Sequence, residues 1–103
     1  MPARRHAYRL SPRAQSDLEE IWLHTFKNWS LKQADGYLTA IVDAFEGLAA
    51  GEKTGRPVDI REGYFKYPVG SHLVFYRFDE AGAETGLVVV RVLHQRMDVG
   101  KHL

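Results

Sequence analysis

The sequence predicts an α+β fold in which a helical hairpin packs on a small antiparallel sheet, with the element order β-α-α-β-β-β. Two consecutive stretches have apolar residues at helical spacing, and the pattern changes to a period of two residues after position 57. The chain has 103 residues, of which 45% are hydrophobic and 26% are charged. Because these values are typical of one globular domain, residues 1–103 are predicted to form a single domain.

The first two elements are predicted to be a short strand and an amphipathic helix. Residues 6–10 have extended character, and Ser11-Pro12 supplies the residue types favoured at a helix N-cap and first helical position. Asp17 and Glu19 follow near the helix start, where acids complement the helix dipole. The residues predicted to face the core have a 3.6-residue spacing: Ala14, Leu18, Ile21, Trp22, Thr25 and Trp29.

A second helix is predicted to begin after Ser30, which forms a capping box with Gln33, and to end at Gly51. Its core-facing residues are Ala34, Tyr37, Leu38, Ile41, Val42, Phe45 and Leu48. Another side of this helix carries Tyr37, Ala40, Ala44 and Gly47. Small residues at this spacing permit close approach of either the protein's own sheet or a partner.

The remainder of the chain is predicted to form the sheet. Residues 51–57 have turn chemistry, and residues 64–69 form a strand in which Pro68 indicates an edge position or a bulge. Gly70-Ser71 forms a short turn to a strand over residues 72–78. After a loop at 79–86, the almost entirely apolar residues 87–93 predict a strand that is buried on both faces.

The charges are segregated along the chain although the formal net charge is only +1. Residues 1–13 carry four arginines and no acid, residues 14–60 carry eight acids against four bases, and residues 61–103 carry six bases against five acids. The overall balance argues against a nucleic-acid coat protein and against an acidic tail.

Several chemistries are excluded or disfavoured by the residue inventory. The chain has no cysteine, which excludes disulfides, thiolate catalysis and cysteine-based zinc sites. It shows neither the apolar region of a signal peptide nor a membrane span, so we expect a cytoplasmic protein with no membrane partner. The glycines do not form a phosphate-binding loop, and Glu19 and Glu20 point about 100° apart on a helix, so they cannot flank one substrate atom. We therefore expect no cofactor.

Five histidines prompt a search for a metal site, but no H-x-x-x-H pair occurs among them: His6, His24, His72, His94 and His102. We accordingly expect no bound metal. The segment after the last strand, from Val92 to Leu103, is the best functional candidate because polar donors gather there. His94 and Arg96 at the end of a buried strand fit either a phosphate cradle or ordinary strand-end residues, and spacing alone leaves both open.

A set of motifs spanning nearly the whole chain carries a family resemblance. The matching segments are Leu10-Ser11-Pro12-Arg13-Ala14, Asp17-Leu18, Ile21-Trp22, Gly55-Arg56-Pro57, the run from Tyr67 to Arg77, the run from Val90 to Asp98, and His102-Leu103. Their combination resembles the ParE toxins of the RelE/ParE superfamily. The resemblance implies a RelE/ParE-like fold, neutralisation by a ParD-like antitoxin in a hetero-oligomer, and poisoning of DNA gyrase by protein contact without catalytic residues or sequence-specific nucleic-acid binding.

From this resemblance and the clustering near the C-terminus, we predict that one set of residues contributes to target inhibition: Arg91, His94, Arg96, Met97, Asp98, Lys101 and His102. The RelE-like relatives instead cut messenger RNA on the ribosome with clustered cations and a terminal acid–base residue. The corresponding set here is Arg61, Lys66, Arg77, Arg96 and His102. Because affinity for RNA scales with the number of neutralised phosphates, the low net charge favours gyrase inhibition. A non-toxic interaction module is the third alternative.

A second surface is predicted on the helical hairpin, which has more aromatic area than one stripe can bury. The residues predicted to bind the antitoxin are Trp22, Phe26, Trp29, Tyr37, Ala40 and Ala44. An amphipathic partner segment is expected to dock there, and an uncovered sheet edge is expected to accept a strand. Filling of the protein's own core by the four aromatic residues is the competing interpretation.

Overall fold

The computed structural model describes residues 8–79 and 86–103. The predicted α+β architecture is confirmed: two long helices pack on a five-stranded sheet with the strand order β1-β5-β4-β3-β2. The elements are β1 (Tyr8–Leu10), α1 (Pro12–Asn28), α2 (Leu31–Ala50), β2 (Arg56–Pro57), β3 (Tyr64–Val69), β4 (His72–Phe78), β5 (Leu87–His94) and α3 (Val99–His102). The part of the first predicted strand before Tyr8 and most of the 79–86 loop lie outside the described residues.

Two features of the sheet differ from the sequence prediction. The sheet is mixed, because β1 pairs with β5 in parallel, with Tyr8 opposite Leu87. Arg56 and Pro57 form a short strand against Lys66 and Phe65 instead of ending a turn. The β1–β5 pairing joins residues distant in sequence, so no local turn fixes its direction. The β2–β3 pairing is closed by residues 58–63, where Val58 N–H bonds Tyr64 O at 2.8 Å.

Local capping chemistry starts and stops the helices where the sequence predicts. The hydroxyl of Ser11 accepts a hydrogen bond from the Ala14 N–H, and that of Ser30 accepts one from the Gln33 N–H, each at 3.0 Å. Gly51 ends α2 with φ of +79°, a left-handed conformation that glycine adopts without steric cost. The first turn of α1 contains no acid, so the predicted dipole role of Asp17 and Glu19 is wrong.

The main core lies between the helices and one face of the sheet. Ala14, Leu18 and Ile21 of α1 are buried as predicted, as are Ile41 and Phe45 of α2. The prediction that Trp29 is a core residue is wrong: Trp29 is 70% exposed. Helix α1 ends at Asn28, so Trp29 lies beyond the helical repeat.

A minor core covers part of the opposite face of the sheet. It contains Val58, Phe75 and Leu93, with Val99 and Leu103 of the C-terminal segment packed against it. Strand β5 therefore contributes buried residues to both faces, as its apolar sequence predicts. Within residues 8–79 and 86–103, no helix combines the length and apolar character required to cross a membrane.

The two edges of the sheet differ in how their backbone groups are protected from pairing with another strand. Past Val89, the outer edge of β5 is bonded by Ser11, the N-cap of α1, which donates its N–H to Val89 O and its hydroxyl to Val90 O. On the other side, β2 pairs only with Phe65 and Lys66, so Pro68 lies on the outer edge of β3 as predicted. Proline has no N–H to offer there, which limits strand addition at that position.

Candidate functional site

An ion pair between α1 and β5 forms the back of the candidate site. The Asp17 carboxylate accepts hydrogen bonds from Nε and Nη2 of Arg91 and from the Val92 backbone N–H, each at 2.9 Å. Each of the two charged side chains is 13% exposed. The hydrogen bond to Asp17 is the largest cause that raises the Arg91 pKa above its ordinary value. Arg91, predicted to contact a target, is thus engaged within its own chain.

A cleft of about 880 Å³ opens between the helical hairpin and the end of the sheet where β4 begins and β5 ends. Its lining includes His24, Trp29, Tyr37, His72, His94 and Met97. Trp29 and Tyr37 belong to the predicted antitoxin surface, whereas His94 and Met97 belong to the predicted target surface. The fold therefore brings parts of the two predicted surfaces to one cleft, a proximity that their separation in sequence concealed.

A cross-strand pair of imidazoles lies in this cleft. His72 and His94 are opposite each other in the β4–β5 register, with ring centroids 5.3 Å apart in an edge-to-face arrangement. Burial, followed by repulsion from His94 and His24, lowers the His72 pKa below its ordinary value of 6.5 against the opposing effect of Asp17. Among the described residues, no group of three or more His, Asp or Glu side chains is placed to hold a metal ion.

The segment after β5 divides into exposed and tethered residues. Arg96, Met97 and Lys101 are exposed, with Met97 at 46%. Asp98 caps α3 by accepting the Gly100 N–H at 3.0 Å, and Nδ1 of His94 accepts the Arg96 N–H at 3.1 Å. The half-buried His102 contributes its carbonyl to Arg91. The predicted cluster thus comprises an outward-facing group and the residues that hold it in place.

A second, apolar surface lies on the outer side of the hairpin. Trp22 and Phe26 stack with centroids 5.3 Å apart, and Trp22 Nε1–H donates to Asp35 at 2.9 Å. Trp22 borders a groove of about 480 Å³ that Leu10, Leu18, Leu38 and Val42 also line. The exposed Leu23 and Leu31 are apolar residues that the sequence analysis did not assign to a site. Leucine on the otherwise polar face of α1 was the available signal for Leu23.

Two of the predicted antitoxin residues are engaged with their own chain, Ala44 by burial and the half-buried Tyr37 through its hydroxyl. Ala44 is 3% exposed, so it offers almost no surface to a partner. The Tyr37 hydroxyl donates to Val69 O and accepts from Ser71 N–H, each at 3.1 Å. Ala40 and Phe26, in contrast, are exposed. Ala44 is buried because the side of α2 that carries it packs against the protein's own core. Of the two alternatives for the small residues on that side, packing within the chain therefore applies at Ala44.

The cations of the alternative endonuclease set are only partly brought together. Arg61 lies over the Tyr64 ring, 4.5 Å from its centroid, and Arg77 is opposite Tyr64 in the β3–β4 register. Lys66 is two residues along β3 and shares this face of the sheet. Arg96 comes two residues after His94, the last residue of β5, which lies about 20 Å along the strand from the Val88 position that pairs with Arg77.

Comparison with known proteins identifies the family. The family model described as the ParE toxin of the type II toxin–antitoxin system parDE matches residues 8–99. The chain belongs to the ParE toxin family. It is therefore a toxin of the type II toxin–antitoxin class. The match begins at β1 and ends at the first residue of α3, so it includes both the hairpin and the segment after β5.

Curated relatives of this ParE-family toxin cover nearly its whole length. Toxin ParE1 from Mycobacterium tuberculosis is 48% identical over 97 residues, which cover 93% of this chain and 96% of the relative. Toxin ParE1 from Caulobacter vibrioides is 37% identical over 97 residues, with the same coverage of 93% and 96%.

Solved structures show the same fold at lower sequence identity. A chain of the chromosomal ParDE toxin–antitoxin system from P. aeruginosa has a TM-score of 0.70 at 17% identity, covering 85% of this chain and 94% of that chain. A chain of the toxin–antitoxin complex RelBE2 from Mycobacterium tuberculosis has a TM-score of 0.59 at 23% identity, covering 87% and 91%. The domain thus has the α+β fold of the RelE/ParE superfamily.

Proposed function

We propose that this ParE-family toxin inhibits DNA gyrase by direct protein–protein contact and that a ParD-like antitoxin neutralises it. In this proposal the toxin acts in the cytoplasm, is not an enzyme and requires no cofactor. The gyrase target comes from the sequence resemblance, and the structure supplies a surface suited to protein contact. That surface is the outward-facing group of Arg96, Met97 and Lys101, called here the exit surface.

The observation that carries the proposal is the exposure of Met97 between two cations at the end of β5. Met97 is 46% exposed, while Arg96 and Lys101 on either side in sequence are exposed as well. Methionine and arginine are enriched at protein interfaces, where an apolar centre with a polar rim is the usual arrangement. The turn that presents this surface is fixed by the hydrogen bond from Met97 N–H to His94 O at 2.9 Å.

The hairpin groove is the site that we propose for the antitoxin. It is apolar, borders the Trp22–Phe26 stack, and has the form that an amphipathic helix or extended segment occupies. Residues 14–60, which include α2 and all of α1 except its first two residues, carry eight acids against four bases. We therefore expect the antitoxin segment to carry lysine or arginine at the rim of the contact, where charges chiefly tune association rate and specificity.

The test is a gyrase supercoiling assay with purified toxin and a matched pair of variants. The double variant Arg96→Glu/Met97→Ser changes the exit surface, whereas Lys32→Glu reverses one exposed charge on α2. We expect wild type and Lys32→Glu to inhibit supercoiling or trap cleaved DNA. The double variant is expected to need at least about ten times as much protein for the same effect. Absence of any effect of the wild type on gyrase overturns the proposal.

A second candidate function is ribosome-dependent cleavage of messenger RNA, which the cations around Tyr64 favour. Arg61 lies over the Tyr64 ring, and Lys66 and Arg77 share the face of the sheet that carries Tyr64. Clustered cations can stabilise the extra charge of a phosphoryl transition state. A ribosome-dependent cleavage assay separates this candidate from gyrase inhibition. Cleavage by the wild type that is lost in Lys66→Ala/Arg77→Ala, with no effect on gyrase, establishes the second candidate. Normal growth on expression without antitoxin instead indicates a non-toxic interaction module.

A further inference from the structure

We propose that Asp17 on α1 is a positioning residue for the exit surface and that it acts through Arg91. The inference rests on the proposed function, because it concerns how the surface assigned to gyrase is held. Asp17 itself lies on the helix that borders the antitoxin groove. One carboxylate would thereby connect the hairpin to the C-terminal segment.

The first step is the fixation of Arg91 by Asp17. The carboxylate receives two parallel N–H bonds from the guanidinium, at 2.9 Å each, together with the Val92 backbone N–H. A bidentate pair fixes the plane of the guanidinium as well as its position. Strand β1 ends opposite Val89, so no β1 carbonyl is available to accept a hydrogen bond from the Val92 N–H. The Asp17 carboxylate accepts that bond instead.

The second step is the connection from Arg91 to the C-terminal helix. The remaining guanidinium nitrogen, Nη1, donates to the His102 carbonyl at 3.3 Å. Arg61 Nη1 donates to the Leu103 carbonyl at 2.7 Å. Two arginines therefore bind consecutive carbonyls at the end of α3: Arg91 comes from β5 and Arg61 from the loop between β2 and β3.

Such fixation matters because α3 is too short to be stable alone. It has four residues, and an isolated helix needs about 12–15 residues to be even marginally stable in water. Its position depends on contacts outside the helix: the apolar packing of Val99 and Leu103 and the two arginine bonds. Lys101 of the exit surface lies within α3, so its placement follows that of the helix.

The chain offers a matched control for the ion pair. Arg9 and Asp79 form the other ion pair among the described residues, at 2.6 Å, with side chains 65% and 29% exposed. This pair does not include α3, and exposed pairs contribute little to stability. Arg9→Ala therefore removes an ion pair without affecting the proposed connection.

The experiment compares Asp17→Asn with Arg9→Ala by amide hydrogen exchange, antitoxin binding and gyrase inhibition. In wild type, Lys101 N–H bonds Asp98 O and Leu103 N–H bonds Val99 O, so both amides report on α3. We expect Asp17→Asn to speed their exchange by about tenfold or more and to weaken gyrase inhibition by a similar factor, while antitoxin affinity changes less than about twofold. Arg9→Ala is expected to leave all three readouts near wild type.

A second variant keeps the inference testable if Asp17→Asn folds poorly. Arg91→Lys retains the charge, but a single ammonium cannot bond both Asp17 oxygens and the His102 carbonyl in the arrangement of the guanidinium. It is expected to reproduce the selective loss, with faster α3 exchange and retained antitoxin binding. Unchanged exchange of Lys101 and Leu103 amides in both variants overturns the inference.

The outcomes also separate the inference from the proposed function. Faster α3 exchange with undiminished gyrase inhibition overturns the positioning role, because the surface then works without the connection. If wild type has no effect on gyrase, the proposed function fails. In that case, faster α3 exchange in the variants still supports the structural connection from Asp17 to α3.

Discussion

The hydroxyl of Tyr37 on α2 lies 2.7 Å from Nδ1 of His72 on β4 and also bonds the backbone of Val69 and Ser71. One phenol thus joins the helical hairpin to the turn between β3 and β4. We expect Tyr37→Phe to lower the free energy of unfolding by about 1 kcal/mol, because Ser71 N–H and Val69 O lose this partner. Urea denaturation measures the change, and an unaltered midpoint contradicts it.

Substitution of glycine by alanine measures how much stability depends on backbone strain and on the room for a Cβ atom. Gly70 has φ of +56°, and a Cβ there would lie 2.7 Å from the Tyr37 ring. We expect Gly70→Ala to cost about 2 kcal/mol or more, because both the strain and the clash are unfavourable.

Two other glycines are the controls for that substitution. Gly63 has φ of +85° with nothing near its Cβ position, so Gly63→Ala measures strain alone and is expected to cost about 1 kcal/mol. Gly36 lies inside α2 in open space, so Gly36→Ala is expected to stabilise by about 0.5–1 kcal/mol. Thermal unfolding of the three variants gives the ranking, and equal effects of Gly63→Ala and Gly70→Ala would contradict the clash.

The His72–His94 pair predicts a pH dependence of stability. Because burial and His94 lower the folded-state pKa of His72, the unfolded state binds protons more readily below pH 6.5. The stabilisation associated with neutral His72 is therefore complete above pH 6.5 and is lost as the pH falls through the folded-state pKa. We expect wild type to lose more stability than His72→Gln between pH 7.5 and pH 5, measured by urea midpoints. A pH-independent difference between the two proteins contradicts the prediction.

Phe26 tests the antitoxin surface independently of folding. Its side chain is 44% exposed and stacks on Trp22, which lines the groove, whereas Leu23 is also 44% exposed but lies on the otherwise polar face of α1. We expect Phe26→Ala to weaken antitoxin binding by about tenfold, and Leu23→Ala to weaken it by less than about threefold. Both melting temperatures are expected to change little, since both residues lie at the surface. Equal losses of affinity place the contact elsewhere.

Tyr37 shows where sequence periodicity stops being informative about a site. Its spacing is compatible with both the core stripe and the partner surface, and only the structure shows that the half-buried side chain lines the cleft while its hydroxyl bonds β3 and the following turn. Met97 shows the reverse case. It belongs to a segment without periodicity, and its exposure depends on how α3 packs after the end of β5.

Local chemistry within a few residues determined the helices and the turns, and a set of short motifs along the chain indicated the family. Ser11, Ser30 and Gly51 set helix ends because a capping side chain or a left-handed glycine acts on backbone groups next to it. The tertiary structure alone decided the parallel pairing of β1, the bond between Asp17 and Arg91, and the cleft shared by Trp29 and Met97. These relationships join residues from distant parts of the chain. No spacing rule specifies them, because they depend on how the helices and strands pack together in the folded protein.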